Sequence, residues 1–499
     1  MSRATDQPFR LFNPRVLPLF AAYLILGIFC VILDVWVAAL LMGVAILFLF
    51  LPLRSKSLRR GFLIALCLAL LGGYGIATLT LHLRNEVGLS GTATVSCRVI
   101  EASETEEGTR VTADSLRADG TLYLGKISFV VADSVSIGDR LTLKGDVSIR
   151  KLSLSSLTEA LDYRKGAKYR IDDPTLLSQD SGSPPLRHTI REKTREALLS
   201  AQGERAGGFS YAMLFGDAEY MVASDKAAMR ETGVAHVIAV SGLHVGVLAA
   251  ALLFLLRKLR LKEGVCLLIL LPIFGFYAYL AGFTPSVLRA SIMVTVSLAA
   301  SALGERYDDV SALSLAAILI LLVRPLYLFD LSFLMSFLAI FGIQSLVRPL
   351  ERIFRRHKVP PRLASGLALS ASTTIALIPV SALVFHRIAL VGFLLNLVVV
   401  PIASVAFVLN FVFLPLTLLL PSFGAVLSLV GYLPAILAET SGATAALGFE
   451  ANYDFSTAET AIYYATIAFV GKYSLAKRTV KLIAAGIGGG VLLILLLAT

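Results

Sequence analysis

The sequence predicts a polytopic α-helical membrane protein of about 12–13 spans, some of them re-entrant, with a small inserted β-barrel of the OB type. Three observations lead there. The 499 residues are 57% hydrophobic and 16% charged, with a mean hydropathy of +0.79, whereas soluble domains carry about 25% charged residues. A deficit of that size requires lipid as the solvent for much of the surface. Apolar stretches of about 20 residues recur along the chain, the length that crosses roughly 30 Å of hydrocarbon. Finally, one polar interval, residues 90–175, interrupts the series with short alternating patterns.

Residues 1–89 form a three-span membrane segment, with apolar runs at about 16–33, 35–53 and 61–81. Arg3, Arg10 and Arg15 before the first run imitate a signal peptide. A second run follows at once without a small-residue cleavage site, so the first reads as a retained signal anchor. The basic loop RSKSLRR (54–60) belongs in the cytoplasm by the positive-inside rule. The N-terminus is therefore expected inside, and whatever follows residue 82 outside. The formal charge of +11 would suggest nucleic acid or anionic membrane as the partner of a soluble chain. In a membrane protein such a balance more often reflects Lys and Arg in cytoplasmic loops. Cys30, Cys67 and Cys266 lie in apolar runs as small hydrophobic side chains, and Cys97 has no local partner, so no disulfide framework is implied.

Residues 90–175 read as an extracytoplasmic barrel. TATVSCRVIEA, TRVTADSL, KISFVVA and DRLTLKGDVSI alternate at strand period, with Asp119-Gly120 and Gly138-Asp139 between them. In VSIGDRLTLKGDV, Leu141 and Leu143 point inward. Such barrels often bind single strands through a basic groove and stacking aromatics. Here acidic and basic side chains nearly cancel and aromatics are few. Arg164, Lys165, Lys168 and Arg170 form the one basic patch and the DNA-binding candidate, with a solvated face as the alternative.

Residues 176–232 form an amphipathic helical connector, in which RHTIREKTREALLSA alternates charge with apolar positions at helical spacing. From 233 to 499 the chain is mostly membrane again. Expected spans cover 234–256, 264–283, 286–303, 311–323, 330–348, 363–384, 388–410, 424–447, 459–474 and 482–499. RKLRLK (257–262) and VRPLERIFRRHKVPPR (347–362) both fall inside, in phase with the first loop. The sides of FEANYDF (449–455) and KYSLAKRTVK (472–481) agree only if 388–420, which holds Pro401 and Pro415, crosses once. A full span followed by a re-entrant or broken half-helix meets that condition. Broken helices are tolerated at depth where they line an enclosed wet path.

Within this region, TGVAHVIAVSGLHVGVLAA (232–250) sets His236, Ser241 and His244 in an apolar segment, with Gly242 and Gly246 beside them. Ionisable residues inside a span are costly and by default mark function. The glycines suggest a local break where backbone groups face water. The alternative is that Ser241 and His244 hydrogen-bond neighbouring helices in a packed bundle.

AHVIAVSGLHVG (235–246) also resembles, without departure, the signature helix of the ComEC family of competence proteins. Other family elements recur in order. MLFGD (213–217) resembles its L-x-x-G-D/E segment, and GFTPSVLRASIM (282–293) its G-x-x-x-S-x-x-R-A helix, with Ser286 and Arg289 in the matching places. RPLYLFDLSFLMSFLAIFGI (324–343) carries Asp330 and Ser336 as that family does, and NLVVVPIAS (396–404) carries Asn396. The resemblance covers the chain from about 15 to 475.

The resemblance implies an inner-membrane channel component that passes one DNA strand inward during natural transformation. It also implies, as partners besides single-stranded DNA and the bilayer, a DNA receptor, a separate nuclease and a cytoplasmic DNA-translocating ATPase. The path-lining candidates are then His236, Ser241, Gly242, His244, Gly246, Ser286, Arg289, Asp330, Ser336 and Asn396. A phosphate backbone needs a wet, positively disposed route, which Arg289 suits. For Arg289 and Asp330 a structural ion pair is the alternative.

Many family members continue into a metallo-β-lactamase-like domain. Its metal chemistry needs a dense His/Asp cluster, and the six histidines here show no such spacing. No metal, cofactor or nuclease activity is therefore expected of this chain, which reads as a short form. Two other functions stay open. One is a channel or transporter for another polyanion or envelope solute. The other is an enzyme using Ser241 and His244, three residues apart on one helical face, though no acidic orienting residue lies nearby.

Overall fold

In the computed structural model, described over residues 16–32, 56–85, 88–105, 108–123, 125–149, 168–385, 388–389, 391–446, 450–451 and 457–470, the polar interval closes into a barrel. Its strands are β1 (Gly91–Thr105), β2 (Gly108–Ala118), β3 (Thr121–Tyr123), β4 (Ile127–Val131), β5 (Arg140–Ile149) and β6 (Tyr169–Asp180). The helices in chain order are α1 (Val16–Phe29), α2 (Lys56–Asn85), α3 (Leu186–Phe215), α4 (Ala223–Glu231), α5 (Gly242–Lys258), α6 (Glu263–Leu280) and α7 (Pro285–Ala302). They continue as α8 (Asp309–Val323), α9 (Leu331–Arg356), α10 (Pro361–Phe385), α11 (Gly392–Leu419), α12 (Gly424–Val430), α13 (Tyr432–Ala445) and α14 (Thr457–Val470). A short pair, β7 (Ile388–Ala389) and β8 (Glu450–Ala451), completes the described elements. Two compact units result, Met1–Arg191 with Arg306–Asp330, and Glu192–Glu305 with Leu331–Thr499.

In the first unit, β1 pairs antiparallel with β2 and β5, β5 with β6 and β2 with β4, while β4 and β6 close the circuit in parallel. This is the five-stranded Greek-key barrel expected of an OB fold, with β3 appended to the β2 edge. Strand alternation builds the core: Val95, Cys97 and Val99 on β1, and Leu141 and Leu143 on β5, are at most 3% exposed. Each such side chain contributes roughly 1.5–3 kcal/mol of transfer free energy. The closing strand β6 runs to Asp180, so the barrel reaches past the expected boundary at 175.

Also in this unit, α1 packs on α2 and α8. A Cβ at Gly27 would run into the Leu70 carbonyl, and one at Gly73 into the Leu24 carbonyl. Such reciprocal backbone approach is how helices associate in lipid, where no hydrophobic gradient drives them together. The expected run at 35–53 lies outside the described residues, as does 482–499.

Among the described residues, seven helical segments are long and apolar enough to cross a membrane: Ala65–Leu83, Glu263–Leu280, Pro285–Ala302, Leu331–Arg356, Pro361–Val384, Gly392–Leu419 and Pro421–Ala445. Leu17–Phe29 and Asp309–Val323 are shorter and equally apolar. The chain is a multi-pass membrane protein, and the expected spans coincide with these helices. Two details differ. The expected span at 234–256 starts only at Gly242. The broken helix expected around 388–420 lies further on: α11 continues through Pro401 and Pro415, and the interruption falls at Gly431 between α12 and α13.

Prolines persist inside these helices where a neighbour satisfies the freed carbonyl. Pro379 removes the N–H that Ile375 would receive, and the Tyr463 hydroxyl donates to Ile375 O at 2.7 Å instead. The Tyr464 hydroxyl donates to the neighbouring Ala376 O at 3.0 Å. The connector divides at Gly203 (φ +78°, ψ 169°), a backbone conformation that glycine adopts freely. Beyond it, Ala206–Phe215 is buried throughout, so this half of α3 belongs to the bundle.

Candidate functional site

All contacts described here lie within the second unit unless stated. Residues 232–241 leave the helical path: α4 ends at Glu231, Ala235–Val237 make a single 3-10 turn, and α5 begins at Gly242. Ser241 stands at the N-cap with extended backbone (φ −102°, ψ 159°), where serine is favoured because its oxygen can reach the unpaired N–H groups of the first turn. His244, at the third helical position, turns back so that its Nδ1 accepts the Ser241 N–H at 3.5 Å. This is a capping box in which histidine replaces the usual Glu or Gln. The imidazole is 1% exposed and stacks on Phe407 of α11, with centroids 4.6 Å apart and planes at 14°. It addresses the Ser241 backbone rather than its hydroxyl. That is the geometry of a helix cap, not of a nucleophile held by its base.

Gly242 carries a steric requirement. A Cβ there would overlap the Arg289 guanidinium. Arg289 is 5% exposed; its Nε donates to Ser336 Oγ at 2.8 Å and its Nη1 lies 3.4 Å from Met293 Sδ. One turn earlier on α7, Ser286 Oγ lies 2.8 Å from Ser332 Oγ and 3.1 Å from Ser332 O. Two polar rungs therefore join α7 to α9, and the start of α5 rests on the upper one. All three helices present their first turns here. The Arg289 guanidinium thus lies between the start of α5 and the α7–α9 contact.

Of the sequence candidates, Ser241, Gly242, His244, Ser286, Arg289 and Ser336 thus come together. Arg289 sits in the second turn of α7, near a helix start rather than at mid-span. Asp330 immediately precedes α9 in extended conformation (φ −85°, ψ 125°) and is 4% exposed. His236 is half-buried on the 3-10 turn, and Gly246 is exposed, with nothing within 4 Å of a Cβ built on it. Asn396, in the second turn of α11, holds a buried Oδ1 that accepts no hydrogen bond. An unpaired buried acceptor is costly, so packing does not explain Asn396.

Of the basic patch expected on the barrel, in the first unit, only Lys168 and Arg170 are among the described residues. Arg164 and Lys165 lie outside the described residues. Lys168 Nζ donates to Leu83 O at 3.1 Å and lies over the Tyr169 ring, while Arg170 pairs with Asp172 at 2.8 Å.

Sequence reasoning missed Ser332, Phe407 and a closed polar ring. Ser210 Oγ donates to Gln202 Oε1 at 2.6 Å, Asn410 Nδ2 to Ser210 Oγ at 3.1 Å, and Gln202 Nε2 to Asn410 Oδ1 at 2.8 Å. Ser210 and Asn410 are fully buried. The available signal was an amide in an apolar run, since such groups must find partners inside the bundle. Nearby, Arg205 forms a fork on the buried Asp225, with both bonds at 2.8 Å, and a third bond to Glu439 at 2.6 Å. The Asp225 bonds, then the Glu439 bond, raise the Arg205 pKa.

Comparison with known proteins places this arrangement. Residues 213–477, more than half of the chain, match the family described as Competence protein. ComE operon protein 3 of Bacillus subtilis is 34% identical over 197 residues, 39% of this chain and 24% of that protein. The uncharacterized protein YcaI of Escherichia coli is 31% identical over 190 residues, 35% of this chain and 24% of that protein. Recombination protein 2 of Haemophilus influenzae is 26% identical over 225 residues, 42% of this chain and 28% of that protein. The matched part therefore spans only about a quarter of the length of these relatives. No solved structure matches the chain.

Proposed function

Because the chain belongs to the competence-protein family, of the ComEC type, we propose that it is an inner-membrane channel component that passes single-stranded DNA into the cytoplasm during natural transformation. The observation that carries this reading is the buried cation Arg289, held against Gly242 and Ser336 within the family-matched region. A buried guanidinium is suited to anionic cargo, and a strand brings one phosphate per nucleotide. In this reading the N-terminus is cytoplasmic, as the basic loop at 54–60 favours, and the barrel meets the strand on the outer side. The chain transports without cleaving, since His244 is engaged as a cap. A DNA receptor, a separate nuclease and a cytoplasmic ATPase would work beside it.

Labelled DNA tests the proposal. In cells lacking the chain, label is expected to stop outside the cytoplasm, and transformants to disappear. Undiminished transformation would refute the channel role. Asn396→Leu sharpens the test, because it removes the unpaired acceptor. Its folded bundle should be as stable as the parent or more so by about 1 kcal/mol, while uptake falls at least several-fold. Normal uptake by this variant would exclude Asn396 from the path.

A further inference from the structure

On the barrel, two arginines stand where electrostatics alone would not put them. Arg98 of β1 and Arg140 of β5 are directly opposed in the antiparallel register, and like charges so placed repel. Each also faces a carboxylate on its other neighbouring strand, Arg98 opposite Asp114 and Arg140 opposite Asp180. Arg98 has only a long contact to Asp114, at 3.9 Å, and Arg140 makes no ion pair among the described residues. Asp139, next to Arg140, is buried and occupied by Ser136 N at 3.0 Å and Gln179 Nε2 at 2.9 Å. Asp180, opposite Arg140 across β5 and β6, reaches neither arginine as an ion pair among the described residues.

The two arginines line one cleft of about 380 Å³, together with Gly138, Asp180, Ser181, Gly182 and Ser183. Its walls are set by backbone. Gly138 (φ +104°) bonds to Val99 O at 2.9 Å, and a Cβ on it would press to 2.7 Å from Pro184 N. The loop carrying Ser181 and Ser183 is thereby locked against the β4–β5 turn. A cleft lined by two arginines against one carboxylate, Asp180, retains a cationic excess that suits a tetrahedral oxyanion, since guanidinium pairs with phosphate in bidentate fashion.

We infer that the Arg98–Arg140 cleft is a phosphate-group site, distinct from the Arg289 contacts in the helical bundle. That the phosphate is a backbone phosphodiester of a DNA strand rests on the uptake function proposed above; a free phosphate has the same chemistry.

The full chain in detergent micelles distinguishes these cases, using a fluorescent oligothymidylate, inorganic phosphate, and the Arg98→Gln/Arg140→Gln variant, with Arg117→Gln, at an exposed position outside the cleft, as control. Oligothymidylate binding should weaken roughly tenfold in the double variant. The slope of log affinity on log salt should flatten by about 0.7 for each lost contact. Inorganic phosphate should slow amide exchange in β1 and β5 of the parent and not of the double variant. Arg117→Gln should change neither result. Phosphate protection without strand binding by the parent supports the site and removes the DNA reading. Unchanged strand binding by the double variant, with no phosphate protection in the parent, overturns the site and leaves the uptake function standing.

Discussion

The barrel and the helical bundle bury opposite kinds of residue. Among described residues of the barrel interval, Thr109 and Asp139 are the buried polar side chains, against a core of Val, Ile, Leu and Phe. The bundle instead buries Ser210, His244, Arg289, Ser372, Asn410 and Ser441 to 5% exposure or less, while Phe254 and Leu268 are 72% exposed. Solvent explains the inversion. In water, apolar burial drives folding, and a strand's two faces separate apolar from polar. In lipid, apolar side chains gain nothing by turning inward, so helices are held by close backbone approach and polar pairs. The Gly242–Arg289–Ser336 node and the Gln202–Ser210–Asn410 ring are such devices.

This contrast is open to direct attack. The first test is Gly242→Val, which displaces the buried end of the Arg289 side chain; a loss of about 1–3 kcal/mol is anticipated. Gly246→Val, one turn on, meets open space and should leave folding near the parent level. Thermal unfolding in micelles compares them, and equal losses would mean the node is not what holds α5. Next comes Leu143→Ala in the barrel, expected to lose about 2–5 kcal/mol by creating a cavity. Amide exchange should show that loss in β1, β2 and β5 while the bundle peptides keep their protection. Exchange rising throughout the chain would show that the two regions unfold as one.

The smallest effect concerns Cys97. Burial, chiefly, and the nearby Asp114 charge push its thiol up to about 12. Unfolded, it ionises near its ordinary value of about 8.5. The folded state therefore binds the extra proton between those values, and stability falls as pH rises through that window. Below about pH 8 the residue contributes no pH dependence. Comparing barrel exchange at pH 8 and pH 10 in the parent and in Cys97→Ala checks this. A parent slope that persists in the variant would assign it to another group.

Much of the fold was legible because its signals are local. Span lengths and the alternation of Leu141 and Leu143 need only neighbouring residues, and both survive in the structure. β6 escaped because its outer half, DDPTLLSQD, is polar and becomes a strand only by pairing with β5. The interruption at Gly431 escaped for a related reason. Prolines advertise a break, yet lipid-embedded neighbours allowed α11 to continue through two of them.

The candidate site divides along the same line. By itself the sequence determined that the chain is membrane-embedded, that a small barrel interrupts it, and that the 235–246 segment is unlike an ordinary span. Composition and periodicity are sums over neighbours, and no distant contact can reverse them. Only tertiary structure decided what each polar residue does. It made Ser241 and His244 a cap, set Gly242 against Arg289, and left the Asn396 Oδ1 without a hydrogen bond. It also turned attention on the barrel from the Lys168 and Arg170 patch to the opposed Arg98 and Arg140. A side chain's role depends on which groups lie within about 3 Å of it, and those groups come from helices and strands far apart in the chain.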